Sequence, residues 1–357
     1  MIIRTCAWTT EGWKLADRIS ENVKEHFFDY RSADEEVDLW VEAGFRLNAP
    51  ILFIGALGIA VRKIAPFGEN KLIDSPVIVT DEKGQFVIPV LSGHVGGANE
   101  LARDISKAIN AQLVLTTATD VQNVFAIDVF AKHNGLRIVN KDGIKKISSK
   151  LLNGNKITMV IDSDIEYSSE EVPDYIDIID YKEAVKNSLE IDVYIANSGS
   201  ATAGVLVDAD EASVEKNPSL LLEYKPYIIG IGCRKNTEFE KLDTFVKEQL
   251  ECNDIDINLV AGIGTIDIKK SEKGLLYFET KNRIPLVTFS AQELQEVEGE
   301  FSNSDFVKEI TGVSNVCERA AMKLAGEEGE LLLHKIAQNG MTLAVSRRKA
   351  RINVWKN

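Results

Sequence analysis

The segment "VIVTDEKGQFVIPVLSGHVGGANELARDI", residues 77–105, contains a strand, a turn, a second strand, a glycine-rich turn and the start of a helix. Val77–Thr80 and Phe86–Leu91 are apolar runs of strand length, and the sequence between them is typical of a hairpin turn with Gly84 at its tip. The segment therefore predicts an antiparallel strand pair followed by a helix that begins near Ala98.

The patterns on either side of this segment predict an α/β fold. Strand-like runs alternate with amphipathic segments, which is typical of a mainly parallel sheet covered by helices. The further predicted strands are Ile2–Ala7, Ile51–Ile54 and Leu113–Thr116, and the predicted helices are Gly12–His26, Glu35–Leu47, Ala98–Asn110 and Glu238–Leu250.

Changes in composition along the 357 residues predict three units. An N-terminal α/β unit spans 1–132, and an acidic, turn-rich stretch indicates a small middle unit at 133–222. The stretch "NPSLLLEYKPY", 217–227, has two prolines and little periodicity, so it predicts a linker. The third unit, 223–357, contains Asn339-Gly340, a strong hairpin signal.

Composition and charge limit the function classes. The formal net charge of −14 argues against nonspecific binding to nucleic acid or an anionic membrane. A local cationic cluster can still bind an anionic small molecule, because exposed charges are screened beyond about 8 Å at physiological salt. We find no signal-peptide pattern or membrane-length apolar run, and the four cysteines are scattered. We expect a cytoplasmic protein without disulfides or a bound metal.

The glycine-rich turn after the second strand is the main candidate site. Three glycines in five positions leave backbone N–H groups open to a ligand. His94 lies in the turn, and Glu100 and Arg103 share a helix face, a set suited to proton transfer on an anionic substrate. Alternatively, Ser92 caps the following helix, the glycines only allow the chain to turn, and Glu100 and Arg103 form a solvent-exposed ion pair. The candidate residues are Ser92, His94, Gly96, Gly97, Asn99, Glu100 and Arg103.

Two further glycine-containing stretches follow predicted strands. Arg62 and Lys63 in "GALGIAVRKIAP" suit either carboxylate binding or a solvated helix face. Arg234 and Lys235 follow the strand in "GIGCRKN", but neither stretch has a P-loop or dinucleotide fingerprint, which disfavours nucleotide binding.

Two other polar residues have structural interpretations. We interpret Asp120, at the end of "LTTATD", as a helix cap. Ser314 is predicted to cap a helix that carries Cys317 in its first turn, and that thiol is interpreted as packed because no histidine is near it in sequence.

Several long motifs occur in an order that resembles the CbiG family, the cobalt-precorrin-5A hydrolases of anaerobic cobalamin biosynthesis. They are "GALGIAVRKIAP", "PVIVTDEKGQFVIPVLSGHVGGANELARDIS", "LVLTTATDV", "IGIGCRKN", "PLVTFSAQEL" and "GVSNVCERAA". The C-terminal part is similar to the family's CobE-like domain, whereas the middle part is variable. The resemblance thus implies three α/β domains.

The resemblance implies a carbon–carbon hydrolase acting on a cobalt-bound tetrapyrrole. The ring A lactone would be opened and a two-carbon unit released as acetaldehyde, giving cobalt-precorrin-5B. It implies no separate cofactor, because the substrate carries the cobalt, and its partners would be this substrate and other enzymes of the pathway. The substrate's carboxylates give a role to the cations Arg62, Lys63, Arg103, Arg234 and Lys235.

For this reaction we hypothesise that His94 is the general base or acid and Glu100 its partner or a second proton carrier. The backbone N–H groups of Gly96 and Gly97 would stabilise the oxyanion. Two other classes stay open: a noncatalytic tetrapyrrole-binding or handover protein, and a nucleotide-dependent transferase.

Overall fold

The computed structural model describes residues 1–69, 74–94, 96–116, 124–198 and 218–355, and these residues form three main sheets. Each sheet belongs to a mixed α/β unit, so the predicted multidomain α/β class is confirmed. Among the described residues, no helix combines the length and the hydropathy that crossing a bilayer requires.

The N-terminal unit is a six-stranded sheet with helices on both faces. Its strands are β1 (Ile2–Ala7), β2 (Phe27–Tyr30), β3 (Ile51–Ile54), β4 (Val77–Thr80), β5 (Phe86–Leu91) and β6 (Gln112–Leu113), in the order β2-β1-β3-β4-β5-β6. Its helices are α1 (Thr10–Asn22), α2 (Val37–Arg46), α3 (Leu57–Ile64) and α4 (Ala98–Ile109). The strands β1, β3 and β4 are buried along their whole length, as the apolar sequences of β3 and β4 predict, and β1 also buries Arg4 and Thr5.

The direction of β5 positions the candidate turn. The predicted hairpin is confirmed, because β5 runs antiparallel to β4 and Leu91 pairs with Val77. All other strand pairs in this sheet are parallel. The turn after β5 therefore lies at the edge where β4 begins, whereas the glycine turn after β3 lies at the opposite edge. The two N-terminal glycine turns do not form one site.

The middle unit has a five-stranded sheet. Its elements are α5 (Ile127–His133), β7 (Leu136–Ile138), α6 (Gly143–Leu152), β8 (Ile157–Ile161), β9 (Glu166–Tyr167), β10 (Ile176–Ile178), α7 (Tyr181–Lys186), β11 (Val193–Ala196) and β12 (Leu220–Tyr224). The sheet order is β10-β8-β11-β12-β7, and β9 lies outside this sheet.

The predicted linker at 217–227 is wrong. Residues 220–224 form β12, which pairs in parallel with β11 and antiparallel with β7. Pro218 and Pro226 flank this strand rather than interrupting it, so they remove no hydrogen bond from its centre. The leucine run was short enough to lack visible periodicity, but it is a buried strand of the middle sheet.

The C-terminal unit has a second five-stranded sheet. Its elements are β13 (Tyr227–Cys233), α8 (Phe239–Glu251), β14 (Val260–Ile266), α9 (Lys273–Asn282), β15 (Leu286–Phe289), α10 (Ala291–Gln295), α11 (Asp305–Thr311), α12 (Cys317–Ala325), β16 (Glu330–Gln338), β17 (Met341–Arg347) and β18 (Arg351–Ile352). The sheet order is β15-β14-β13-β17-β16. Asn339 and Gly340 have φ values of 50° and 80°, which confirms the predicted hairpin turn between β16 and β17.

The glycines of "GIGCRKN" have a packing role that the sequence did not indicate. Gly230 lies inside β13, and a Cβ there would be 1.8 Å from the carbonyl oxygen of Cys317. Helix α12 therefore crosses the sheet at a distance that only glycine allows. This helix begins at Cys317, and its Glu318 N–H donates to the Asn315 side chain at 2.9 Å, so the predicted Ser314 cap is wrong.

The last residues of the chain return to the middle unit. Strand β18 pairs with β9, and Trp355 is 3% exposed within the middle core. The side chain of Arg348 fixes the junction, donating to the carbonyl oxygens of Lys225, Asn134 and Gly135. Local sequence patterns predict no role for these last residues. They complete a hydrophobic core whose other members lie between α5 and β12, more than 100 residues earlier in the chain.

Candidate active site

The imidazole of His94 faces a buried carboxylate. Its Nδ1 lies 3.4 Å from Oδ2 of Asp128, on the first turn of α5, and the two side chains are 17% and 5% exposed. This distance is longer than an ideal hydrogen bond, as is common for catalytic pairs without substrate. A carboxylate at Nδ1 can hold the ring so that Nε2 acts as the proton acceptor.

The glycine turn is held together by backbone hydrogen bonds. The N–H of Gly97 donates to the His94 carbonyl at 2.9 Å, and the N–H of Asn99 donates to Gly93 at 2.9 Å. Because the Gly97 amide is used inside the turn, its predicted role as an oxyanion donor is wrong for this geometry. The same role for Gly96 stays a prediction.

Ser92 and Asn99, two of the predicted substrate-binding residues, have side chains that contact other parts of the backbone around the turn. The hydroxyl of Ser92 donates to the Asp74 carbonyl at 2.7 Å, and Ser92 has a left-handed φ of 54°. Asn99 is 4% exposed, and its side chain packs so closely on Gly93 that a Cβ there would be 2.7 Å from Oδ1. Both side chains are therefore placed to fix the position of His94.

Glu100 has a different partner from the one hypothesised. Its carboxylate accepts a hydrogen bond from Lys132 Nζ at 2.7 Å, and both side chains are largely exposed. Burial raises the pKa of Glu100, but the hydrogen bond and charge of Lys132 outweigh it and lower the pKa overall. Lys132 and Asp128 are four residues apart on α5, so one helix face contacts both Glu100 and His94.

Asp128 is the residue that the sequence interpretation missed. Burial raises its pKa, but the hydrogen bond and charge of His94, with the N–H of Val129, hold the pKa below its ordinary value. In sequence it is one acidic residue in the first turn of an amphipathic segment, which is a common helix-stabilising position. Only the packing of α5 against the glycine turn distinguishes it. Asp120, the carboxylate that the sequence singled out in this region, lies outside the described residues.

The other predicted cations lie in several places. Lys63 forms a 2.7 Å ion pair with Asp38 of α2, and Arg62 is exposed on α3. Arg103 is half-buried on α4. Arg234 and Lys235 line a cavity of about 1410 Å³ that is formed mostly by the C-terminal unit, with Arg46 and Leu47 from the end of α2. The residues of the glycine turn do not line that cavity, so these cations do not form one cluster around His94.

Cys317 is not an activated nucleophile. Its thiol is buried, and burial raises its pKa to about 11, as expected for a packed side chain. Within the described ranges, no three His, Cys, Asp or Glu side chains are grouped so that they could hold a metal ion.

Comparison with known proteins assigns the chain to a family. The N-terminal, central and C-terminal models of cobalamin synthesis protein G match residues 40–120, 125–224 and 227–346. The chain belongs to the CbiG family. The predicted family is thereby confirmed, together with a place in cobalamin biosynthesis, and the following relatives, named as hydrolases, confirm the predicted hydrolase class.

Two CbiG relatives match most of the chain. A cobalt-precorrin-5A hydrolase of Salmonella typhimurium is 32% identical, over 94% of this chain and 95% of the relative. A cobalt-precorrin-5A hydrolase of Priestia megaterium is 33% identical, over 83% of this chain and 78% of the relative. Protein CobE of a Sinorhizobium species is 27% identical over 33% of this chain and 78% of its own length.

Proposed function

We propose that this CbiG chain hydrolyses cobalt-precorrin-5A, opening the ring A lactone and releasing acetaldehyde to give cobalt-precorrin-5B. The relatives that cover most of the chain support the substrate by their names. The observation that carries the chemistry is the contact between His94 and the buried Asp128, at 3.4 Å. It provides a proton acceptor whose orientation is fixed before substrate arrives.

In the first step His94 takes a proton from water, whose oxygen adds to the lactone carbonyl. The negative charge of Asp128 stabilises the imidazolium that forms. The N–H of Gly96 is the proposed donor to the developing oxyanion. The acyl–oxygen bond then breaks, the carbonyl carbon becomes the ring A carboxyl group, and the former lactone oxygen takes a proton to become a hydroxyl group.

In the second step the released hydroxyl loses its proton and becomes a carbonyl as the adjacent carbon–carbon bond breaks. The electron pair of that bond stays with the macrocycle, which takes up a proton. One water is consumed, and one acetaldehyde leaves. In this proposal His94 moves protons in both steps, so its substitution should slow both the lactone opening and the release.

The proposal is tested by incubating the enzyme with cobalt-precorrin-5A and trapping acetaldehyde as a hydrazone. Wild-type protein should release acetaldehyde in an amount equal to the substrate consumed, and His94→Ala should release it about 10²- to 10⁴-fold more slowly. Tight binding of cobalt-precorrin-5A without acetaldehyde release would contradict the proposal and favour a noncatalytic tetrapyrrole-binding protein.

A further inference from the structure

A large cavity opens at the edge of the C-terminal sheet. Its volume is about 1410 Å³, and it lies where β13 and β14 end and where the turn between β16 and β17 returns. The carboxyl ends of parallel strands are the usual ligand-binding edge of an α/β sheet. The volume exceeds that of a typical cavity for a drug-sized ligand, about 300–1000 Å³.

The cavity carries positive charge that the protein itself does not neutralise. Four of its cationic side chains form no ion pair within the part of the chain that the structure describes. They are Arg46, Arg234, Lys235 and Lys335. This excess is unusual in a chain with a net charge of −14.

The acidic side chains of the lining do not cancel this charge. Glu238 is paired with Lys241 at 2.9 Å, and Glu272 is paired with Lys269 at 3.5 Å. Lys273, a further cation of the lining, is paired with Asp29 at 3.0 Å. These pairs leave Glu240 as the lining's one other carboxylate, against four unpaired cations.

The mouth of the cavity also presents exposed aliphatic side chains. Ile268 and Ile310 are 56% and 61% exposed, although both line the cavity. Val316 and Met341 add buried apolar side chains to the lining. Large aliphatic side chains in the lining of an open cavity are suited to contact with a flat apolar ring.

We propose that this cavity is a binding site for a cobalt tetrapyrrole polycarboxylate, separate from the catalytic turn at His94. The aliphatic side chains would contact the macrocycle, and the four cations would bind its peripheral carboxylates. The ligand class rests on the proposed function. Because the lining includes no residue of the glycine turn, the cavity holds substrate or product rather than performing the hydrolysis.

Arg234 is the cation best fixed for this role. Its backbone N–H donates to the Gly340 carbonyl at 3.1 Å. Its side chain lies against the β16–β17 turn, 2.6 Å from the position that a Cβ on Gly340 would occupy. Lys335 projects from β16 and is half-buried. A charge change at these two positions should therefore affect a bound carboxylate directly.

The test uses cobyrinic acid, a cobalt corrin with free peripheral carboxylates, in an absorbance titration of the full-length protein. Arg234→Glu and Lys335→Glu should each weaken binding about tenfold, because a charged hydrogen bond is replaced by repulsion. Binding to wild-type protein should also weaken as salt is raised. Lys323→Glu, an exposed charge reversal on α12 outside the lining, is the matched control and should bind as wild type.

A second pair of variants tests the apolar contact without disturbing the core. Ile268→Asp and Ile310→Asp alter exposed side chains, so both should fold and both should lose affinity. Unchanged binding in all four lining variants, or equal loss in Lys323→Glu, would overturn the site. Acetaldehyde release is measured separately. If wild type binds cobyrinic acid but releases no acetaldehyde from cobalt-precorrin-5A, only the proposed function is contradicted. If wild type releases acetaldehyde but the lining variants bind cobyrinic acid as wild type does, only the cavity site is contradicted.

Discussion

The imidazole of His94 in the glycine turn lies 3.4 Å from the carboxylate of Asp128 on α5, measured from Nδ1 to Oδ2. The two residues belong to elements matched by different family models, the N-terminal and the central one. The candidate catalytic pair therefore lies where two units of the chain meet. Because α5 packs in the middle core, neither unit contains the pair by itself, whereas the predicted N-terminal unit, 1–132, would include both residues.

His94→Ala should reduce turnover by about 10²- to 10⁴-fold, the usual range for removing a general base. The fold should stay intact, because a histidine in a turn contributes little to the core. Affinity for cobalt-precorrin-5A should be largely kept. Steady-state acetaldehyde release measures the change. His133→Ala removes an exposed histidine on α5 and serves as the control. An active His94→Ala enzyme would exclude this residue as the proton carrier.

Asp128→Asn should lower turnover and change the acid stability of the protein. The folded-state pKa of Asp128 is held below its ordinary value of 3.8, so ionised Asp128 stabilises the fold above that pH. This contribution is lost as the pH falls below 3.8 through the lowered folded-state pKa. The difference in unfolding free energy between wild type and Asp128→Asn should therefore shrink on acidification, as measured by denaturant titration at several pH values. A difference that grew on acidification would reverse the assigned sign.

Glu100→Gln should leave turnover close to that of wild type. Its ion pair with Lys132 is exposed, and such pairs contribute about 0–1 kcal/mol. Rates of Glu100→Gln and Asp128→Asn should be compared at the same pH. If Glu100→Gln were the inactive variant, Glu100 would regain the role of general base, and His94 would be a turn-ordering residue.

Gly97→Val should damage both stability and activity. Gly97 has a φ of 87°, which a β-branched residue adopts only with strain of about 1–3 kcal/mol. A side chain there would also approach Lys132 Nζ, 3.4 Å from the Cβ position. Thermal unfolding should show the loss, and Gly154→Val is a useful control because its φ of 74° is equally unfavourable but its Cβ position meets no atom within 4 Å. Both variants should be destabilised, but only Gly97→Val should lose activity in its folded fraction.

Trp355→Ala should destabilise the protein by about 3–5 kcal/mol, the usual cost of removing a buried tryptophan. Trp355 packs on Phe130 in the middle core, with ring centroids 5.4 Å apart. Val354→Ala alters the preceding, 36% exposed residue and should have a small effect. For the same reason a fragment of residues 1–216 should aggregate, because it lacks both Trp355 and β12. A soluble, cooperatively unfolding fragment 1–216 would show that neither is needed.

The local sequence determined most of the elements. The bounds of β1, β3, β4 and β5 agree with the predicted strands, because short, mainly apolar runs bounded by turn residues are typical of strands. Of these strands, β1, β3 and β4 are buried along their whole length, whereas β5 is only partly buried. The two hairpin turns were also predictable, since Gly84 and the Asn339-Gly340 pair adopt positive φ values that few other residues tolerate. The family resemblance likewise depended on contiguous motifs.

What the tertiary structure decided were contacts between residues far apart in the chain. Local patterns can predict an amphipathic α5. They cannot predict that its Asp128 contacts His94 and that its Lys132 forms an ion pair with Glu100. Likewise, β12 and Trp355 are recognisable as core only when the strands and helices on both sides of them are assembled. A side chain's partner depends on how whole elements pack, and packing is a property of the assembled units rather than of any local stretch of sequence.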